Sequence, residues 1–315
     1  MKLFKSLPIF FIFCLPAVVW SAGDFDEETL AVEQITPNPK PQAIADKPTP
    51  FSLSCNADFI GKSKIKKGFF KDDEIKFAEA QVEAGMVFYY NECFSEGANV
   101  AVTYAVTRIE WEQNLFTNQD LFHTVSLSFG FFTKRVDRWL WKIQIAANCD
   151  TPGKNFTGEY INYDGILWGR YDYCKHIGLH FGFIAETGMR MDKAWPIFGF
   201  DWQINEHWKL NAVYPVNIGI NYSFWKYWSV GADIRFFNTR HRIKRDEAGS
   251  RDVIRYENTG AELALMYQRG SINYNIHGGY TLGGKYRIAN PSNNHPRTYD
   301  FKGAGYAGAE VDVRF

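Results

Sequence analysis

The last ten residues of the chain, 306–315, alternate between apolar and polar side chains. One set of alternate positions holds Ala307, Ala309, Val311, Val313 and Phe315, and the other holds Gly308, Glu310, Asp312 and Arg314. Successive side chains of a β-strand point to opposite faces of a sheet, so the segment is predicted to be a strand with one apolar and one polar face. A membrane barrel needs such strands, because one face meets lipid and the other faces the lumen.

The same alternation recurs in about fourteen segments between residues 51 and 315. Most of them are close to the ~9–11 residues that a tilted membrane-spanning strand needs. We therefore predict an all-β fold, a transmembrane antiparallel β-barrel of about 14 strands. A soluble β-sandwich would show the same alternation with its apolar face inward, but the strand lengths and the Phe-terminated last strand favour the barrel.

The lengths of the connections support the barrel and set its orientation. Counted back from Phe315, short connections such as 268–271 and 224–227 alternate with long ones such as 282–300 and 238–252. Outer-membrane barrels have short periplasmic turns and longer external loops, so both termini are expected in the periplasm. The connection at Pro215 is short where a long one is expected. If 209–222 were one bent strand, the number of strands would be 12.

The N-terminal region is predicted to be an export signal followed by a flexible tail. Lys2 and Lys5 precede an apolar run that ends in small residues near Ser21, which is typical of a secretory signal peptide covering residues 1–22. Residues 23–50 are acidic and then proline-rich, so they are expected to form a flexible periplasmic segment, or else a plug or a contact arm for a periplasmic partner. The barrel is expected to occupy residues 51–315.

Composition excludes other classes of protein. Tyr, Trp and Phe make up 17% of the chain, and aromatic side chains concentrate where apolar and aqueous phases meet. The formal net charge is zero, which argues against a nucleic-acid partner. Four cysteines follow the signal, and their spacing matches no zinc or redox motif, so free thiols, one internal pair and disulfide-linked neighbours all stay open. They are Cys55, Cys93, Cys149 and Cys174.

No arrangement of residues in the sequence points to an enzyme. His123 and Ser126 are the nearest approach to a base and a nucleophile, but residues three apart lie on opposite faces of one strand. His180 and His277 belong to strands far apart in the chain, and neither H-E-x-x-H nor G-x-S-x-G occurs. We predict that the protein is not an enzyme and that it uses no cofactor and no metal.

The polar faces of the strands would place charges of both signs in the lumen. One interpretation is a polar pore whose charges set ion selectivity. The other is a barrel filled by ion pairs and hydrogen bonds, because enclosed charges must be paired. The sequence favours neither. The residues predicted to line the lumen are Glu79, Glu83, Lys142, Arg170, His180, Asp201, Lys209, Asp233, Arg235, Glu262 and His277.

Two basic segments fall in loops that are predicted to be external. One is the run Arg-His-Arg-Ile-Lys-Arg at 240–245, and the other contains Lys64, Lys66, Lys67 and Lys71. Such segments can meet lipopolysaccharide phosphates or a host polyanion. The simpler interpretation is a solvated loop whose charges partly cancel.

Two segments resemble known outer-membrane proteins. The terminal strand, with Val311, Val313 and Phe315, resembles the insertion signal that the barrel assembly machinery of Gram-negative bacteria reads, although an aromatic residue is common where Val313 stands. The sequence also has Pro-x-x-Gly-x-x-Trp at 196–202, Trp-x-Leu at 208–210 and a proline at 215. This pattern resembles a family of uncharacterised outer-membrane barrels, which implies the fold and the membrane but no activity.

These patterns predict a protein of the Gram-negative outer membrane that is exported through its signal peptide. Its expected partners are outer-membrane lipids, lipopolysaccharide and the barrel assembly machinery. The favoured function is a porin-like channel for passive diffusion of small polar solutes. The alternative is a closed structural or adhesive barrel that acts through its external loops.

Overall fold

The computed structural model of the chain describes residues 29–30, 47–150, 158–188, 192–244, 252–289 and 296–315. The predicted signal peptide and most of the predicted tail lie outside these ranges. Within the tail, Thr29–Leu30 pairs in parallel with Lys47–Pro48. The described helices are two three-residue 3-10 turns, and no helix in these ranges is long and apolar enough to cross a membrane.

Sixteen further strands follow from residue 51. The first eight are β1 (Phe51–Lys64), β2 (Glu74–Asn91), β3 (Glu96–Trp111), β4 (Leu121–Thr133), β5 (Trp139–Asp150), β6 (Ile161–Cys174), β7 (Ile177–Thr187) and β8 (Lys193–Gln203). The others are β9 (Trp208–Tyr214), β10 (Asn217–Trp225), β11 (Trp228–Arg242), β12 (Val253–Arg269), β13 (Ile272–Thr281), β14 (Gly284–Ala289), β15 (Arg297–Phe301) and β16 (Gly305–Arg314).

Fourteen of these strands close into one antiparallel barrel. Strands β1 to β13 pair in chain order, β13 pairs with β16, and β16 pairs with β1. The last contact joins the two ends of the barrel chain, with Ala309 opposite Ala57. Closure leaves no strand edge along this seam, as a membrane barrel requires. The predicted fold and the number 14 are confirmed.

The alternative of 12 strands is wrong, because the connection at Pro215 is a real turn. Pro215 and Val216 alone separate β9 from β10, and the two strands pair along their length, with Leu210 opposite Ile220. The peptide bond between Tyr214 and Pro215 is cis.

The two faces of the wall differ in chemistry as the alternation predicts. Outward side chains are apolar and exposed, such as Val102 at 51% and Ile276 at 65%. Their inward neighbours are polar and enclosed, such as Thr103 and His277. At the end that carries the termini and short turns (the turn end), Trp208 packs on Tyr222 with ring centroids 4.7 Å apart, and other aromatic pairs continue the belt.

The opposite end (the loop end) carries more regular structure than the sequence predicts. Strands β14 and β15 form a hairpin inside the long connection before β16, and β14 pairs with the upper part of β12, with Tyr256 opposite Tyr286. Strand β11 also continues to Arg242, five residues into the predicted loop 238–252. The prediction of loop is therefore wrong for residues 238–242, 284–289 and 297–300.

The outward face should tolerate no charge at the level of a membrane. Val102 lies near the middle of β3, and an arginine at the midplane of a lipid-facing strand costs ~2–4 kcal/mol. We expect Val102→Arg to lower the free energy of unfolding of the refolded barrel by about this amount, as measured by urea titration with tryptophan fluorescence. The control is Gln144→Arg, which places the same charge on the inward face of β5. Equal losses in the two variants would contradict the assignment of the faces.

Candidate functional site

A hairpin made by the upper parts of β11 and β12 crosses the loop end of the barrel. Its tip meets β4 and β5, which lie on the far side of the ring. The backbone N–H of Arg242 donates to Asp150 Oδ2 at 2.8 Å, His241 Nδ1 lies 3.3 Å from Asp150 Oδ1, and the His241 ring stacks on Phe122. We call residues 236–242 and 253–260 the crossing hairpin.

The inward and outward faces of β11 continue without a break into the crossing hairpin, but there the apolar side chains lie on the inward face and the polar side chains on the outward face. In the wall, Ile234 points outward and Arg235 inward. Two residues later Phe237 occupies the inward face, and Asn238 the outward face. The hairpin therefore has an apolar front and a charged back, which is the reverse of the wall below it.

The apolar front of the crossing hairpin packs against β1, β2, β3 and β16. Phe77 stacks on Tyr256 with centroids 4.5 Å apart, Tyr256 stacks on Phe301, and Phe237 meets Tyr306 edge-on at 5.2 Å. Each large apolar side chain buried in this way contributes ~1.5–3 kcal/mol. The cluster fills one side of the mouth, and it also contains Ile60, Ile65, Phe70, Ile75, Ile109, Trp111, Phe122, Ile243, Ile254, Tyr286, Ile288 and Ala304.

The charged back of the crossing hairpin meets β7, β8 and the connection between them. Arg255, which is fully buried, pairs with Glu186, and Lys193 pairs with Glu257. Arg240 Nη1 lies 3.2 Å from Asp192 Oδ1, and Arg240 Nη2 donates to the Thr187 carbonyl at 3.4 Å. The interpretation of 240–245 as a solvated loop is therefore wrong for Arg240 and for His241, which are both buried because the segment lies inside the mouth.

Below the hairpin, an ionic network spans the seam where the barrel closes. Arg235 donates to both carboxylate oxygens of Glu262, at 2.8 and 3.2 Å, and lies 3.5 Å from Asp58. His277 Nε2 lies 2.7 Å from Asp58 Oδ1, and the Tyr306 hydroxyl donates to Glu262 at 3.0 Å. The network joins β11, β12, β13, β16 and β1, so it ties the first strand to the last.

A second network lies among β6, β7 and β8. Arg170 Nε donates to Asp201 Oδ1 at 3.0 Å, and His180 Nε2 lies 2.6 Å from the same oxygen. The Trp168 indole N–H donates to His180 Nδ1 at 2.9 Å. Because an indole only donates, Nδ1 must accept, so His180 is neutral and its Nε2–H donates to Asp201. His277 has the same arrangement, with Arg235 Nη2 at 3.4 Å from its Nδ1.

Two glycines let these networks reach across an intervening strand. A Cβ at Gly178 would lie 2.5 Å from both Arg170 Nε and Asp201 Oδ1. A Cβ at Gly308 would lie 2.3 Å from both Asp58 Oδ1 and His277 Nε2. Side chains on strands two apart can therefore bond only because nothing projects between them.

All eleven residues predicted to line the lumen lie on the inward face of the wall. Six of them belong to the two networks, namely Arg170, His180, Asp201, Arg235, Glu262 and His277. Glu79 accepts from Thr107 at 3.1 Å and Glu83 from Thr103 at 2.8 Å. Lys142, Lys209 and Asp233 lie inward on β5, β9 and β11. Their role as the lining of a pore stays a prediction.

The terminal strand has the predicted faces, with Val311 and Val313 outward, and the Phe315 ring stacks on Phe51 with centroids 6.1 Å apart. Its role as an insertion signal stays a prediction. The exposed thiols of Cys93 and Cys174 lie at the turn end, and no disulfide joins any two of the four described cysteines. In the described ranges, no three His, Cys, Asp or Glu side chains gather as metal ligands.

Sequence reasoning missed several residues of these clusters. Asp58 follows from the alternation in β1, since it stands beside the outward Phe59. Arg255 and Glu257 belong to the upper part of β12, where the polar side chains point away from the lumen. The alternation in the sequence therefore does not mark these two residues as part of an enclosed cluster.

In the hairpin of β14 and β15, burial raises the pKa of the Tyr286 phenol above its ordinary range.

Comparisons with known sequences find relatives without an assigned activity. An uncharacterised protein of Chlamydia pneumoniae is 28% identical over 203 residues, which cover 64% of this chain and 63% of that protein. An uncharacterised protein of Chlamydia trachomatis is 24% identical over 204 residues, with the same shares covered. The match thus spans less than two thirds of these relatives. No protein-family model matches the chain.

Among solved structures, the chain is similar to an outer membrane channel from Pseudomonas putida F1, with a TM-score of 0.44 and 7% identity over 85% of this chain and 96% of that one. It is also similar to the translocator domain of the autotransporter NalP from Neisseria meningitidis, with a TM-score of 0.39 and 11% identity over 85% of this chain and 89% of that one.

The seam network should respond strongly to loss of its cation. Arg235→Met removes the guanidinium from the enclosed carboxylates of Glu262 and Asp58 and leaves their negative charge uncompensated, and breaking a buried pair in this way costs ~3–5 kcal/mol. We expect a loss of that size in the urea unfolding of the refolded barrel. The control is Lys62→Met, which removes the cation of an exposed pair with Glu74 and should leave the transition almost unchanged. Similar small losses in both variants would show that the network does not hold the seam.

Proteolysis should distinguish the crossing hairpin from a solvated loop. Lys66 and Lys67 are exposed, whereas Arg240 is buried against Asp192 and Thr187. We expect trypsin to cleave the folded barrel in detergent after Lys66 or Lys67 and to spare the bond after Arg240, as read by mass spectrometry of the fragments. Urea-unfolded protein, in which all three sites are open, is the control. Cleavage after Arg240 at the rate seen after Lys66 would mean that the hairpin does not lie in the mouth.

Proposed function

We propose that this chain is an outer-membrane barrel that passes small polar solutes and that the crossing hairpin is its gate. Support for the membrane comes from the closed sheet, the exposed apolar outer face and the aromatic belt at the turn end. The turn end would face the periplasm and the loop end the outside. The inward face carries polar and charged side chains along its length, as a path for polar solutes needs.

The observation that carries the proposal is the difference between the two sides of the crossing hairpin. Its front is held by a large apolar cluster that excludes water. Its back is held by ion pairs, several of which involve partly exposed groups such as Asp192 at 54% and Lys193 at 24%. Partly exposed pairs are weaker than an apolar core and depend on salt. A path would therefore open along the charged back, between the hairpin and β7–β8.

The second candidate is the closed structural or adhesive barrel, and a specific observation favours it. The aromatic cluster at the loop end is as enclosed as a protein core, with Ile60, Ile65 and Phe301 fully buried. Outside this cluster Phe69 is 87% exposed beside the exposed Lys66 and Lys67, which would suit a contact at the cell surface. The two candidates differ in one property, because a gated channel opens and a closed barrel does not.

Removing the acidic partners behind the hairpin should open the gate. Glu186→Gln with Glu257→Gln leaves Arg255 and Lys193 close together without their carboxylates. A change of ~1.4 kcal/mol alters an equilibrium about tenfold, so we expect the open probability of residues 23–315 in planar bilayers to increase about tenfold or more. The control is Glu110→Gln, which removes a carboxylate from pairs on the outer surface of β3. Silent bilayers with every variant would favour the closed barrel.

A covalent lock tests whether the hairpin itself moves. With the four cysteines of residues 23–315 replaced by serine, Asp192→Cys and Arg240→Cys stand where two side chains now touch. A short bismaleimide between them should abolish the openings, and either cysteine alone should not. Unchanged openings after cross-linking would mean that solutes pass by another route.

A further inference from the structure

The wall of the barrel is interrupted above the hairpin of β9 and β10. These strands have only seven and nine residues and turn at Pro215. The last pair between β8 and β9 is Phe198 with Tyr214, and the last between β10 and β11 is Ile218 with Ile234. Above these pairs, and among the described residues, no strand pairs with residues 193–197 of β8 or 235–239 of β11 on the side that faces the interruption. We call this interruption the notch.

The notch lies at the depth of the outer leaflet in the proposed orientation. Trp208 marks the aromatic belt of the turn end, and Tyr214 stands six residues further along β9. At ~3.3 Å per residue and a tilt of ~40° this is a rise of ~15 Å, against an apolar band ~25 Å tall. The open edges of β8 and β11 therefore begin inside the apolar band and not above it.

The rim of the notch is aromatic on the side that would meet lipid. Phe198 lies 5.6 Å from Tyr214, and Tyr214 lies 6.2 Å from Phe236, measured between ring centroids. Pro196 stands in the open edge of β8, where a residue without a backbone N–H is tolerated. The proline motif singled out in the sequence thus coincides with the notch.

Behind the rim lies the side chain of Trp195, which points inward. Its ring lies 5.6 Å from Lys193 Nζ and 5.8 Å from the Arg255 guanidinium carbon. These cations are paired with Glu257 and Glu186, and Arg287 Nε lies 3.6 Å from Glu257, so the polar surroundings are an ionic cluster of both signs. At the foot of the notch the inward Ile197 packs with Val213 and Val216, and Trp195 stands two residues above Ile197 on the same face of β8.

From this geometry we infer that the notch is a lateral opening that admits the acyl chain of a membrane lipid as far as Trp195. A strand edge inside hydrocarbon must be covered, because its peptide groups have no water to bond. An acyl chain lying between Phe198 and Phe236 would fill the apolar rim, and its headgroup would remain at the level of the Lys193–Glu257 pair. The inference concerns the wall of the barrel and holds whether or not the barrel conducts.

Photocross-linking in a bilayer tests the opening directly. Benzoylphenylalanine replaces Trp195, and the barrel is refolded in vesicles of phosphatidylethanolamine and phosphatidylglycerol, irradiated and analysed by mass spectrometry. The outward Phe183 is the lipid-exposed reference and the inward Gln144 the enclosed reference. We expect lipid adducts at 195 within about twofold of those at 183 and about tenfold above those at 144. Adducts at 195 as rare as at 144 would overturn the inference.

A second measurement uses a conservative variant, in case the bulky label prevents folding. Vesicles made with phospholipids brominated on the acyl chains quench tryptophans that touch lipid. The difference in emission between the unaltered barrel and Trp195→Phe should show that Trp195 is quenched, whereas the corresponding difference for Trp168→Phe should not. An unquenched Trp195 contradicts the opening. Neither readout depends on conductance, so a failed gate and a sealed wall give different results.

Discussion

Closure of the first strand on the last is the constraint on which the rest of this structure depends. A barrel in hydrocarbon cannot leave its first and last strands unpaired along their length, and here the seam pairs β1 with β16 over nine residues. The pairing is reinforced by Arg235, Glu262 and Asp58, which carry an ionic network across five strands. Gly308 makes this reach possible, because any side chain there would stand between Asp58 and His277. The charges of this network therefore stabilise the closure of the barrel, whether or not a solute passes.

The same requirement explains how a barrel of fourteen strands can be filled at one end. Only two of its strands, β11 and β12, leave the wall, and they stay paired to each other as they cross the mouth, with Arg240 opposite Arg255. Their backbone bonds are therefore kept while their two faces meet different neighbours. An apolar front and an ionic back give the hairpin one strong and one weaker attachment, which is the arrangement of a hinged element rather than of a uniform plug.

The sequence predicts the wall well because each wall strand has one lipid side and one polar side. Val102 and Thr103, or Ile276 and His277, differ as the alternation requires, and fourteen strands follow from counting such segments. It predicts the mouth poorly, because the apolar side chain points outward at Ile234 but inward at Phe237, and the polar side chain points inward at Arg235 but outward at Asn238. A strand that no longer faces lipid can carry charged side chains on its outer face. In the sequence alone, such charged residues are indistinguishable from those of a loop. Contacts such as Arg255 with Glu186 join segments 69 residues apart, and no local pattern encodes them.

The one connection that breaks the rule of long external loops follows from the same departure of β11 and β12. Once these strands lean inward, β10 has no neighbour to pair with above Ile218, so residues added to a taller β9–β10 hairpin would leave the added part of β10 unpaired on that side. The short turn at Pro215 avoids adding this unpaired part of β10. Three features of the structure therefore have one cause. Because β11 and β12 leave the wall to form the crossing hairpin, the neighbouring β9–β10 hairpin is short and the notch remains above it.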